Sequence, residues 1–252
     1  MAECFYFGPR GELLFGALHR PEANPNRAAL GKHGLLICYP GLEEHHRSIW
    51  PMRSLADQLA RHGWCTMRFD YFGTGDSYGD CLSALPSRWS SDIVTAADEF
   101  IGRTDVSTLS FLCLRLGATL FSHSDLDAIK KLGVDFGKLI LWDPVESGRA
   151  HLEELQEQES FRLTHQRHNY AKYLDPGRPE LLGYTMTAAR RKETEALNWN
   201  GEQVAKHFAS KDILRVGSSN EKWVRQLNLE DGFLQPQVAL EVVAFLKNLG
   251  ET

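Results

Sequence analysis

The sequence predicts an α/β protein with a mostly parallel central sheet flanked by helices. Continuous apolar runs stop at turn residues, as in Leu35-Leu-Ile-Cys-Tyr39 before Pro40-Gly41 and Leu139-Ile-Leu-Trp142 before Asp143-Pro144. Such runs are expected of strands covered on both faces. Segments of helical periodicity lie between them, joined by short connections, which is the pattern of a parallel sheet. In sheets of this kind functional groups gather at the carboxyl ends of strands, which directs attention to the residues after Tyr39, Phe69, Leu114, Trp142 and Gly217.

The elements follow in order. Residues 4–7 and 12–19 cluster apolar side chains around Pro9-Arg10-Gly11 and read as a β-hairpin. Residues 21–32 form a polar loop, and 35–39 the first buried strand. A helix follows, with Ser48 as its cap, Pro51 near its first turn, Leu55, Ala56, Leu59 and Ala60 on one face, and Gly63 as its stop. Trp64 to Phe69 is a strand, followed by the Gly-rich turn Asp70-Tyr-Phe-Gly-Thr-Gly-Asp-Ser77. Trp89, Ile93, Ala96, Ala97 and Phe100 mark a second helix.

Leu109 to Leu114 and Leu139 to Trp142 are strands separated by a helix from Leu116. Residues 147–205 are rich in Glu, Gln, Arg and His and read as helices around Leu152 to Leu163 and Leu181 to Leu197, an inserted helical lid within one domain spanning 1–252. Core signals resume at Asp212-Ile-Leu-Arg-Val-Gly217 and in a strand from Trp223 to Leu229. The last helix opens at Pro236 and buries Val238, Val242, Val243, Phe245, Leu246 and Leu249.

With 252 residues, 42% of them hydrophobic, the chain can bury one large core. A net charge of -5 and the lack of a basic run give no electrostatic reason to expect nucleic acid or a membrane surface as partner. No stretch approaches the length of a membrane span, and the N-terminus lacks the charged and apolar regions of a signal peptide, so a cytoplasmic location is expected. Five cysteines include no C-x-x-C pair; Cys38, Cys65 and Cys113 fall in apolar strands and read as inert core thiols.

The stretch Ser110-Phe-Leu-Cys-Leu-Arg115-Leu-Gly-Ala-Thr119 carries the functional argument. A buried strand turns into a helix there, with Cys113, Arg115 and Gly117 at the marked positions of a G-x-S-x-G elbow. Together with Tyr39-Pro-Gly-Leu-Glu-Glu-His-His-Arg47 and Arg68-Phe-Asp-Tyr-Phe-Gly-Thr-Gly-Asp-Ser77, it resembles the α/β-hydrolase superfamily in its serine aminopeptidase-like branch, over most of residues 12–250. Leu114-Arg-Leu-Gly-Ala118 and Trp142-Asp-Pro-Val-Glu-Ser-Gly148 are similar to the second hydrolase type associated with the exosortase A system, whose members are encoded near exopolysaccharide genes. The resemblance implies an α/β-hydrolase fold, a Ser, Cys or Asp at the elbow, an acid after a late strand, and a histidine before the last helix.

The chain departs from that pattern twice. Arg115 replaces the nucleophile, and Asn228-Leu-Glu-Asp-Gly-Phe-Leu-Gln235 contains no histidine, His207 being the last in the chain. An arginine is neither nucleophile nor base at ordinary pH, so the covalent route through a Ser-His-Asp triad is lost.

Arg115 projects from the elbow beside the backbone N–H of Leu116, with Leu42 able to supply a second N–H. Its planar fork could clamp a carboxylate, phosphate or sulfate. Equally, it could pair with an internal acid such as Asp143, Asp76 or Glu43 and close the site. Glu43, Glu44, His45 and His46 form the densest ionisable cluster near the expected pocket, able to act as acid and base or to form an exposed polar loop. Asp143 is the strongest acidic candidate for a working role, while Glu221 would have no histidine to orient. Asp70 and Asp76 read as turn residues. His151, His165 and His168 could descend over the pocket or stay solvated.

No metal is expected, because adjacent His45 and His46 point apart on an extended segment, and no cofactor, because the Gly-x-Gly at 73–75 lacks a phosphate-loop fingerprint.

Two readings follow. In one, the chain binds an acyl or anionic small molecule and performs hydrolase-like or lyase-like chemistry in a biosynthetic or exopolysaccharide pathway. There Arg115, Leu42 and Leu116 would hold the substrate beside Glu43, and His45, His46 or Asp143 would move a proton. In the other, it is an inactive pseudohydrolase that binds a ligand, a protein partner or a second copy of itself.

Overall fold

The computed structural model describes residues 2–21, 32–165, 180–217 and 236–247. Among them a seven-stranded sheet runs in the order β1-β2-β4-β3-β5-β6-β9, comprising β1 (Glu3–Phe7), β2 (Leu14–His19), β3 (His33–Cys38), β4 (Cys65–Phe69), β5 (Thr108–Leu114), β6 (Asp135–Trp142) and β9 (Ile213–Val216). β1 and β2 form the expected antiparallel hairpin, Glu3 facing Leu18 and Phe7 facing Leu14, and β2 is antiparallel to β4. The other pairings are parallel. Leu35 to Cys38 and Leu109 to Cys113 are fully buried, as their unbroken apolar runs require.

The crossovers set the layers. β3 leads through α1 (Leu42–Arg61) to β4, and the chain returns through α2 (Pro86–Arg103) to β5 on the other side of β3. Right-handed crossovers in opposite directions place α1 and α2 on opposite faces. α2 contacts the short helices α3 (Leu116–Ser122) and α4 (Leu126–Lys131), which share its face. The periodic side chains Trp89, Ile93, Ala96, Ala97 and Phe100 of α2 are buried in the core. The final helix, α8 (Pro236–Lys247), packs on β9 with Val242 and Leu246 buried.

The first helix departs from the sequence expectation. It starts at Leu42, with Gly41 as its cap residue, so Ser48 and Pro51 lie inside it. Pro40-Gly41 ends the strand, and Glu43 and Glu44 suit a first helical turn, where carboxylates meet the positive end of the helix dipole. Ser48 donates to the His45 carbonyl within the helix (2.8 Å). Hence Glu43, Glu44 and His45 are buried rather than exposed in a polar loop.

Between β6 and β9 the chain forms α5 (Gly148–His165), a small hairpin of β7 (Glu180–Leu181) and β8 (Tyr184–Thr185), α6 (Ala188–Ala196) and α7 (Gly201–Ala205). The helix expected from Leu181 therefore begins only at Ala188. Leu182 and Gly183 take positive φ in the hairpin turn, which a helix cannot contain, and Thr187 caps α6 by accepting from Arg190 N. Cys38, Cys65 and Cys113 are buried free thiols, and burial pushes the Cys65 pKa up to about 11. The strand expected at Trp223 to Leu229, Glu221, His168 and the loop 228–235 lie outside the described residues.

Candidate functional site at the elbow

β5 ends at Leu114 and α3 begins at Leu116, leaving Arg115 between them at φ 48°, ψ -122°. A non-glycine residue there stores about 1–3 kcal/mol of strain, and it is kept in place by surrounding bonds. Arg115 N donates to Trp142 O (2.9 Å), and Arg115 O accepts from Ala118 N (3.1 Å) and Val145 N (3.2 Å). Gly117 completes the turn: a Cβ there would lie 2.5 Å from the Tyr39 carbonyl oxygen and 2.6 Å from that of Cys38. The strand-to-helix turn thus packs directly on the end of β3.

The Arg115 side chain is buried among carboxylates. Its Nε donates to Glu44 Oε1 (3.0 Å), its Nη2 lies 2.6 Å from Glu154 Oε2, and its Nη1 donates to the Asp143 carbonyl oxygen (3.5 Å). Burial works against the charge, but Glu44 and Glu154 outweigh it and hold the guanidinium pKa above its ordinary value. His151, 3% exposed, stands beside this group with Nε2 3.9 Å from Glu44 Oε2. Burial, assisted by the Arg115 charge, pushes its pKa down to about 3, so the ring is neutral at ordinary pH.

The other anticipated residues are placed as follows. Glu43 faces α5 rather than Arg115, with Oε1 2.6 Å from Arg162 Nη2 and Oε2 3.7 Å from Arg47 Nη1. His45 Nε2 bonds Asp70 Oδ1 (3.0 Å), and Asp70 Oδ2 accepts from Asp76 N (3.0 Å), which ties the Gly-rich turn to α1. His46 is exposed and stacks on Tyr184, and its pKa is lowered chiefly by partial burial and then by the His45 charge. Asp143 takes φ 43°, and its Oδ1 occupies space that only a glycine at 217 leaves open. Leu42 is the first residue of α1, while the Leu116 side chain is buried at the base of the site.

The internal pairing of Arg115 is therefore realised, but through Glu44 and Glu154. Of the three acids anticipated, Asp143 reaches Arg115 through its carbonyl, Asp76 offers its N–H to Asp70, and Glu43 salt-bridges Arg162. The sequence does not single out Glu154 or Arg190, and of the two options open to His151 the structure realises the buried one. One signal was available: His151, Glu154 and Leu155 share a face of α5 with Leu152, at helical spacings of three and four.

Arg190 is fully buried on α6, donating from Nε to Ala84 O (2.7 Å) and from Nη1 to Thr185 O. It borders a cavity of about 10 Å³ beside the elbow, walled by Trp89, Leu116, His151, Leu155 and Met186. That space holds at most one water.

Among the described residues no group of three or more His, Cys, Asp or Glu side chains could hold a metal ion, and no helix is long and apolar enough to cross a membrane. Similar solved structures include a hypothetical protein from Pseudomonas aeruginosa, with 15% identity, 98% of this chain and 93% of that one covered, and a TM-score of 0.56. Mouse alpha/beta hydrolase domain-containing protein 10 has 14% identity, coverage of 98% and 100%, and a TM-score of 0.55. The alpha/beta hydrolase GrgF from Penicillium sp. sh18 has 14% identity, coverage of 98% of both chains, and a TM-score of 0.55. No protein-family model and no curated protein sequence matches the chain.

Proposed function

We propose that this chain, which has the α/β-hydrolase fold, works as a pseudohydrolase: a binding protein that keeps the elbow and has given up its covalent chemistry. The observation that carries the reading is Arg115, fixed at the nucleophile's position between Glu44 at 3.0 Å and Glu154 at 2.6 Å. A guanidinium there cannot attack a carbonyl, and its charge is already balanced inside the protein. His45, in the first turn of α1, bonds Asp70 of the Gly-rich turn, while Arg115 is engaged by Glu44, Glu154 and the Asp143 carbonyl.

A second reading, noncanonical hydrolase-like or lyase-like turnover of an acyl or anionic compound, has one observation in its favour. The His151 imidazole stands at the elbow beside Arg115 and Glu44, the place a proton-transfer group would need to occupy, although burial leaves it a weak base. In either reading, a place in exopolysaccharide or related biosynthesis is supported by the sequence resemblance of residues 114–118 and 142–148.

A panel of esters, thioesters and aminoacyl compounds, assayed with the wild-type chain and with Arg115→Ala, separates the readings. No hydrolysis above the uncatalysed rate is expected from either protein. Turnover by the wild type that disappears in Arg115→Ala would overturn the pseudohydrolase reading.

A further inference from the structure

We propose that Arg115 is a carboxylate-binding site held shut by Glu154 of α5, and that a small monocarboxylate enters it by taking the place of Glu154. This rests on the binding-protein reading and names both the ligand class and the regulation of the same site.

The two carboxylates on Arg115 come from different parts of the chain. Glu44, whose side chain is 2% exposed, lies in the first turn of the long helix α1 and contacts Nε at 3.0 Å. Glu154 belongs to α5, is 18% exposed, and sits 2.6 Å from Nη2. Arg115 and Glu154 both line a groove of about 530 Å³ between the β6–α5 connection and the first turns of α5. A carboxylate of the protein itself therefore occupies the guanidinium where it meets the groove.

The attachment of α5 makes this contact exchangeable. Leu152 and Leu155 pack with Leu181 and Met186 in a small apolar cluster separate from the main core. Ion pairs join α5 to the elbow and to α1: Glu154 with Arg115, and the partly exposed Arg162 with Glu43 (2.6 Å). Partly solvated ion pairs give way far more easily than a packed apolar face. Glu153 and Glu157 also belong to α5 and withdraw with it, while Glu146 is paired with Arg215 (2.7 Å).

The ligand class follows from the occupant. Glu154 meets Arg115 through Oε2, and its Oε1 is buried with no hydrogen-bond partner among the described residues. A carboxylate not tethered to a helix can turn both oxygens onto the guanidinium fork. Because Glu44 stays in place, a monocarboxylate replaces Glu154 charge for charge, whereas a phosphate dianion would add a second negative charge beside Glu44. Pro144, Val145 and Ala150 in the groove wall suit a short aliphatic stem.

Calorimetric titration of the full chain with butyrate, at constant ionic strength and with inorganic phosphate as the comparison, tests this. Glu154→Ala should bind one butyrate saturably. The wild type should bind it at least tenfold more weakly, because the competent state is populated only while Glu154 is displaced. Arg162→Ala, which loosens α5 and leaves the elbow intact, should fall between the two, and it keeps the test decisive if Glu154→Ala fails to fold. Glu153→Ala, at an exposed position, should behave like the wild type. By reciprocity, saturating butyrate should quicken hydrogen exchange in residues 148–165 of the wild type.

Equal affinity in the wild type and Glu154→Ala, an equal gain in Glu153→Ala, phosphate binding tighter than butyrate, or slower exchange in α5 would each overturn the proposal. Its failure is distinguishable from failure of the pseudohydrolase reading: a silent hydrolysis panel with no butyrate binding to Glu154→Ala or Arg162→Ala removes this site alone, and turnover in the panel removes the parent reading whatever the titration shows.

Discussion

Arg115 carries two penalties, a positive φ and a buried charge, and each has its own compensation. The backbone is held by bonds to Trp142 and Val145, and the guanidinium by Glu44, Glu154 and the Asp143 carbonyl. Its neighbour His151 gives the clearest prediction at this scale. The folded-state pKa of about 3 lies below the ordinary 6.5, so between those values the unfolded chain binds a proton at His151 that the folded chain refuses.

Stability from this group is therefore fully present above pH 6.5 and is lost as pH falls toward 3. At pH 4.5 the loss amounts to about 2–3 kcal/mol. Urea denaturation at pH 7 and 4.5 should show a smaller difference in His151→Leu than in the wild type. Equal differences in the two proteins would refute the assignment.

At the scale of elements, the elbow depends on contact between the start of α3 and the end of β3. A methyl group at 117 would press on two backbone carbonyls that belong to the central strand and its exit, and neither can move aside cheaply. Gly117→Ala should destabilise the protein by about 3 kcal/mol, read as a lowered urea midpoint with an unchanged slope. A shift under about 0.5 kcal/mol would show that the turn is looser than its geometry indicates.

Most elements are legible in the sequence because burial on two faces or one writes a distinct period into the residues, as in β3, β5 and α2. The start of α1 was misjudged for a physical reason. Ser48 and Pro51 look like a helix start, but the true start is set by Pro40-Gly41 and by backbone geometry at a buried strand end, with no side chain capping it.

At the scale of the whole molecule, two ion pairs tie α5 to the sheet side of the structure: Glu154 to Arg115 on the elbow and Arg162 to Glu43 on α1. Glu154→Gln removes one tie while Glu44 continues to compensate Arg115. Hydrogen exchange should quicken about tenfold in residues 148–165 and stay unchanged in β5 and β6, as expected when a local opening is eased by about 1.4 kcal/mol. Uniform acceleration across the sheet would mean that the pair supports the whole fold rather than α5 alone.

The sequence by itself determined the mostly parallel sheet, the strand-to-helix turn at Arg115 and the lack of any histidine after His207. These are properties of residue type and local period. Only the tertiary structure decided what Arg115 touches, because its partners come from α1 and α5, far along the chain, and ion pairs have no local periodicity to betray them. Burial then turned His151 from one histidine among several in a polar stretch into an uncharged group against the elbow. Dielectric environment and charge neighbours belong to the packed molecule, and they set the chemistry of this site.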